Sequence, residues 1–198
     1  MIKCENLSLL FKEQNVYDDL SFHIELGESV CVKAASGKGK SSLLKMIMGL
    51  LQPSSGRIFI KGLELCPQHI NTIRNLISWL PQNVYLPVNS SQELIDLLML
   101  NADNVSLYNN CLQQLEITEE HKLKDFSELS GGEKQRILLA ACISMQKPIL
   151  LLDEPVSALD DHSIDLLLAL LDNLKDKTIL STSHNQKWIS HCDRILDL

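Results

Sequence analysis

The stretch LSGGEKQRILLAACISMQKPILLLDEPVSALD, from Leu129 to Asp160, constrains this chain more than any other. It opens on a Ser-Gly-Gly turn, continues as a polar-then-apolar helix and breaks at Pro148. Four aliphatic residues follow, Ile149 to Leu152, and run into the acidic pair Asp153-Glu154. An apolar run that short, bounded by proline and by charge, predicts a fully buried strand. Carboxylates at the C-terminal end of such a strand stand where ligands bind in parallel α/β sheets.

A second stretch supplies a partner for that pair. Ser29 to Lys33 (SVCVK) predicts a buried strand, and it leads into Ala34-Ala35-Ser36-Gly37-Lys38-Gly39-Lys40-Ser41. The pattern G-x-x-x-x-G-K-[ST] is met except at its first glycine, which is Ala34. The helix pattern Ser42 to Leu51 completes the context of strand, loop and helix. Successive N–H groups of such a loop and of the helix N-terminus point at phosphate oxygens. Gly37 and Gly39 let backbone approach a ligand with no Cβ in the way. Lys40 is placed to reach β- and γ-phosphates and Ser41 to ligate Mg²⁺. If the position of Ala34 requires a positive φ, alanine there costs about 1 kcal/mol.

The chain has 198 residues, enough for one sizeable core with or without an inserted subdomain. Net charge is −7 and no basic run exists, which argues against an electrostatically driven nucleic-acid binder. The N-terminus lacks the pattern of a signal peptide, and the longest apolar stretches fall far short of the ~18 residues that suggest a membrane span. The expectation is a soluble chain. Its six cysteines include no CxxC and read as reduced, mostly buried residues.

Elsewhere, Ile2–Leu10 and Leu20–Leu26 predict short strands around a polar turn. Arg57–Lys61 and Ile77–Leu80 predict two more strands, and Pro67–Asn75 a helix. Residues 83–128 contain no glycine and read as a helical insertion, with helices over Gln92–Leu100 and Leu107–Leu115 and a short polar run after them. Ile164–Leu174 predicts a helix, Lys177–Ser183 a buried strand ending at His184, and Arg194–Leu198 a last strand.

In this order the chain resembles the ATP-binding subunit of ABC transporters over essentially its whole length. Ala34–Ser41 stands where the Walker A loop belongs and Gln82 where the Q-loop glutamine does. Leu129-Ser130-Gly131-Gly132-Glu133 is similar to the ABC signature without a change. Ile149–Asp153 matches the Walker B strand, with Glu154 directly after it. Ser157–Asp160 matches the D-loop and His184 the H-loop. Phe11 aligns with the aromatic residue that stacks on adenine. The sequence departs from the family pattern at Ala34, at Val156 in place of a usual threonine, and at Ala141 where arginine is frequent.

The resemblance implies an α/β fold: a P-loop NTPase (RecA-like) core, an N-terminal antiparallel β subdomain and an inserted α-helical signature subdomain. It divides a single domain, 1–198, into core segments 1–82 and 149–198 and a helical segment 83–148. It implies ATP and Mg²⁺ as ligands. Phe11, Ala35, Ser36, Gly37, Lys38, Gly39, Lys40, Ser41 and Ser42 would surround the nucleotide, together with Ser130, Gly131, Gly132 and Asp160. Ser41, Gln82 and Asp153 would hold the metal, Asp153 through water. Glu154 would orient and deprotonate the attacking water, while His184, Lys40 and Gln82 would attend the γ-phosphate.

Ser130 and Gly132 would bind the γ-phosphate of a nucleotide on an opposite subunit, which implies a head-to-tail homodimer with two composite sites. The further implied partner is an integral membrane transporter subunit. It would dock near Gln82, the helical insertion and the loop NVYLPVNSS, holding the chain peripherally on the cytoplasmic face of the membrane. Two other readings stay open at this point. One is a soluble ATP-driven clamp outside transport. The other is a degenerate subunit with little turnover, for which Ala34 is the only support.

Overall fold

A computed structural model describes residues 1–11, 14–35, 37–83, 87–174 and 176–198, with residues 11 and 14 described through their backbone only. The chain begins with β1 (Ile2–Phe11), β2 (Gln14–Ile24) and β3 (Ser29–Lys33), then α1 (Lys40–Ile47). β4 (Ser55–Ile60), β5 (Leu63–Glu64), α2 (Ile70–Arg74) and β6 (Ile77–Leu80) follow. A helical block comes next: α3 (Ser91–Leu97), α4 (Ala102–Gln114), α5 (Glu119–Leu123) and α6 (Gly131–Ser144). The chain closes with β7 (Ile149–Asp153), α7 (Asp161–Asp172), β8 (Thr178–Thr182), α8 (Gln186–His191) and β9 (Arg194–Asp197).

Among the described residues these strands form two sheets. One is antiparallel, in the order β2-β1-β4-β5, and the other is parallel, in the order β6-β7-β8-β3-β9. The parallel sheet is covered on both faces, as parallel sheets require. Every residue of β7 and β8 is buried. The two-residue period of β7 divides its side chains between two cores. Ile149 and Leu151 join Ile2, Val30, Leu44 and Leu180 on the side of α1 and the antiparallel sheet. Leu150 and Leu152 join Tyr108, Leu112, Ile137 and Leu167 on the side of α4, α6 and α7. Each such side chain contributes about 1.5–3 kcal/mol when fully buried.

Several elements differ from the sequence expectation, each for a local reason. β1 and β2 run longer than expected because their pairing shifts register between Cys4 and Leu10, which breaks the alternation a strand pattern relies on. α1 stops four residues early. Gly49, at φ 64°, donates to Met46 O, and Leu50 N–H reaches back to Lys45 O at 2.8 Å. That pair of bonds is a Schellman stop. α2 begins at Ile70 and not at Pro67. β5 and α8 are too short for periodicity to reveal.

All six cysteines are free thiols, and burial pushes Cys111 and Cys142 up to about 11. Among the described residues no helix is long and apolar enough to cross a membrane.

Candidate functional site

β3 delivers residues 34–39 to the N-terminus of α1. Lys38 N–H donates to Ala35 O at 3.2 Å, which tightens the loop into a turn. Gly39, at φ 87°, is the N-cap of α1; its carbonyl accepts from Leu43 N–H at 3.0 Å and from the Tyr17 hydroxyl. A Cβ there would run into Tyr17 and Val16 of β2. Gly37, at φ 78°, has open space where its Cβ would be. One glycine is therefore fixed by what packs beneath the loop, and the other leaves room above it. No acidic residue occupies the first turn of α1, so no carboxylate of its own competes for the dipole at this helix end.

The described positive-φ residues include Glu154 but not Ala34, so the methyl group of Ala34 forces no strain on the loop. Ala34 contributes its carbonyl, which accepts from Lys40 Nζ at 3.0 Å. The same ammonium donates to His184 Nε2 at 2.8 Å, which puts the histidine proton on Nδ1.

The acidic end of β7 is set by β8. Register places Asp153 beside Thr182. The buried Thr182 hydroxyl donates to Asp153 Oδ1 at 2.7 Å and accepts from Glu154 N–H at 3.0 Å, and the Thr182 carbonyl accepts from the same N–H at 3.1 Å. Glu154 stands at φ 51°, a conformation costing of order 1–3 kcal/mol for a non-glycine residue. Its Oε1 lies 3.5 Å from His184 Nε2.

These elements meet at a cavity of about 700 Å³ lined by Gly37, Gly39, Lys40, Ser41, Ser42, Gln82, Glu154 and His184. Asp153 sits behind its floor, 3% exposed. Sequence reading assigned no ligand or catalytic role to Val156, Ser157, Leu159, Ser183 and Asn185, which also line it, or to Thr182. The signal for Thr182 was weak: polar residues inside a strand otherwise read as buried.

Ser130, Gly131 and Gly132 do not line this cavity. Ser130 caps α6: its hydroxyl accepts from Glu133 N–H at 3.2 Å, and its N–H donates to Glu133 Oε2 at 2.7 Å. These bonds with Ser130 hold the Glu133 carboxyl below the usual carboxylate range. A Cβ on Gly132 would come within 3.0 Å of Ala158 O, so the turn packs directly on residues 157–160. Asp160 also lies outside the cavity lining. Its carboxylate accepts from Ser163 N–H at 2.8 Å and caps α7, and the bonds from Ser163 lower its pKa. Ser36, Val84, Tyr85 and Leu86, and the side chain of Phe11, lie outside the described residues.

Gln82 lines a second, smaller cavity of about 460 Å³ as well, with Val88, Asn89, Phe126, Gln135 and Leu138. Gln135 Nε2 in turn donates to Pro155 O at 3.0 Å, next to Glu154. The two cavities thus share one side chain and are braced by another.

A family model described as ABC transporter matches residues 17–157. The chain is 32% identical to a probable ABC transporter ATP-binding/permease protein of Haemophilus influenzae, over 100% of this chain and 38% of that protein. It is 30% identical to the energy-coupling factor transporter ATP-binding protein EcfA1 of Streptococcus pneumoniae, over 99% of this chain and 76% of that protein. Its fold superimposes with a TM-score of 0.89 on the ATP-binding cassette MJ0796, a dimer in a post-hydrolysis state bound to ADP and Pi. There the identity is 26%, covering 100% of this chain and 94% of that one. The geometry of the loop, the acidic strand end and the histidine is accounted for by this kinship: the chain belongs to the ABC transporter family.

Proposed function

We propose that this chain hydrolyses Mg²⁺-ATP at composite sites of a head-to-tail homodimer and so powers a transporter whose membrane-spanning part is a separate chain. The observation that carries this reading is the convergence of Lys40, Ser41, Gln82, Glu154 and His184 on one cavity above the buried Asp153. Loop 34–41 and the N-terminus of α1 hold the phosphates. Lys40 exchanges its contacts with His184 and Ala34 for phosphate oxygens. Ser41, Gln82 and Asp153 offer only hard oxygen donors, the set that suits Mg²⁺. A metal held by these residues would supply positive charge against the phosphates. Glu154 takes the proton of the attacking water, and His184, returned from Lys40, meets the γ-phosphate.

Ser130 and Gly132 act on the opposite subunit's nucleotide. Their place outside their own cavity's lining supports that role, and so does the hydroxyl proton of Ser130, which has no acceptor among the described residues while its oxygen accepts from Glu133 N–H. Phe11 and Ser36 complete the nucleotide site. We assign residues 1–82 and 149–198 to the catalytic core and 83–148 to a helical subdomain. The membrane subunit docks over the cavity that Gln82 shares, which places this chain peripherally on the cytoplasmic face of the membrane.

Affinity isolation of the tagged chain from detergent-solubilised membranes tests the transport reading. A stoichiometric integral membrane partner is expected. Recovery only from the soluble fraction, with no such partner, overturns it.

A further inference from the structure

We infer that His121 is a positioning residue for the signature turn, acting through Glu133 on Ser130. The inference rests on the reading above that Ser130 meets the opposite subunit's nucleotide.

His121 lies on α5, and Glu133 lies in the first turn of α6. Thr118 N–H donates to His121 Nδ1 at 3.1 Å, and the Thr118 hydroxyl lies 2.9 Å from the same nitrogen. A nitrogen that accepts from a backbone N–H carries no proton, so the ring is the neutral Nε2–H tautomer. That Nε2 lies 3.2 Å from Glu133 Oε1, and both side chains are about three-quarters shielded. The other oxygen, Oε2, holds Ser130 N–H. Two capping boxes, Thr118–His121 and Ser130–Glu133, are therefore brought together by this polar contact. With both its oxygens engaged, the Glu133 carboxylate is held in one orientation. Ser130 and the free N–H groups of Gly131 and Gly132 are then fixed before a second subunit arrives. A preformed turn binds more tightly than one that must be ordered on contact.

Two substitutions separate this role from simple support of α5. His121→Asn keeps an acceptor where Nδ1 stands, and so keeps the Thr118 box, but cannot reach Glu133. His121→Gln places an N–H donor where Nε2 stands and gives up the acceptor. Both are made in the Glu154→Gln protein, in which ATP persists, and ATP-driven dimerisation is followed by light scattering. Binding of a fluorescent ATP analogue to the monomer is measured beside it.

His121→Asn is expected to raise the ATP concentration for half-dimerisation about 5- to 10-fold. His121→Gln is expected to stay within about twofold of the parent, and monomer binding to change by less than about twofold in either. The opposite order, or equal effects, assigns His121 to α5 support and overturns the inference. Ser130→Ala is the control. If Ser130→Ala weakens dimerisation and His121→Asn does not, only the inference fails. If Ser130→Ala has no effect, or the parent stays monomeric at saturating ATP, the composite-site reading fails and takes the inference with it.

Discussion

Lys40 Nζ and His184 Nε2 are hydrogen-bonded at 2.8 Å, so the loop lysine and the histidine at the end of β8 satisfy each other across the mouth of the site. In the mechanism proposed above both turn to the phosphates when nucleotide enters. Lys40 is expected to bring the larger share, since it is a cation that two protein acceptors hold among the described residues. Lys40→Ala is expected to weaken ATP binding about 10- to 100-fold, the value of one or two charge-assisted hydrogen bonds. Calorimetric titration reads this directly, and equal affinity in the variant overturns the role.

Glu154 is held in place by its own N–H, which bonds twice to Thr182, and not by its carboxylate. Glu154→Gln keeps shape and backbone and removes only the base. Steady-state turnover is expected to fall about 10²–10⁴-fold with ATP affinity retained. Unchanged turnover would remove Glu154 from the mechanism.

Thr182 is buried and serves Asp153 and Glu154 at once. Thr182→Val is close in shape but leaves a buried carboxylate oxygen without its donor. Urea unfolding should show a loss of about 1–3 kcal/mol. Turnover should fall as well, because both carboxylates lose their register. A variant with wild-type stability and rate would make the hydroxyl incidental.

Ala34 departs from the glycine expected in this loop, yet its backbone has no need of a positive φ. Ala34→Gly is expected to leave ATP affinity within about twofold and to lower stability by roughly 0.4–1 kcal/mol, through the freer unfolded chain. A marked gain in affinity would instead show that the methyl group obstructs the ligand.

Far from the site, Arg194 Nε donates to Glu28 Oε1 at 2.6 Å and ties the approach to β3 to β9. The Arg194 guanidinium is the main cause that holds Glu28 below its ordinary 4.5, helped by the N–H of Glu25 and the charge of His23 and opposed by burial. A carboxylate lowered on folding stabilises fully above its unfolded value, and that contribution is lost as pH falls through the folded value. The gap in Tm between wild type and Glu28→Gln should be fully present above the ordinary carboxylate range and should narrow as pH falls below it. A gap constant down to about pH 3 would mean the pair contributes packing only.

Local chemistry was legible in the sequence wherever one short segment carried it. The buried strands Ser29–Lys33 and Ile77–Leu80 were readable in full, because unbroken apolar runs between turn residues allow few alternatives. The Ser-Gly-Gly turn that opens α6 is likewise a property of one helix start. The α/β class and the family followed from the order of such segments.

What depended on register and packing was not legible. Thr182 gains its role only because β8 lies parallel to β7 with Asp153 opposite. His184 meets Lys40 across 144 positions of sequence, and His121 comes within 3.2 Å of Glu133 only through the fold of the segment between them. Ala34 could be judged only once its backbone conformation was known. A sequence fixes what each segment can do with its own neighbours, since periodicity, caps and glycines act within a few residues. Which side chains from distant segments share a cavity is decided by how the sheets and helices bury their apolar faces together.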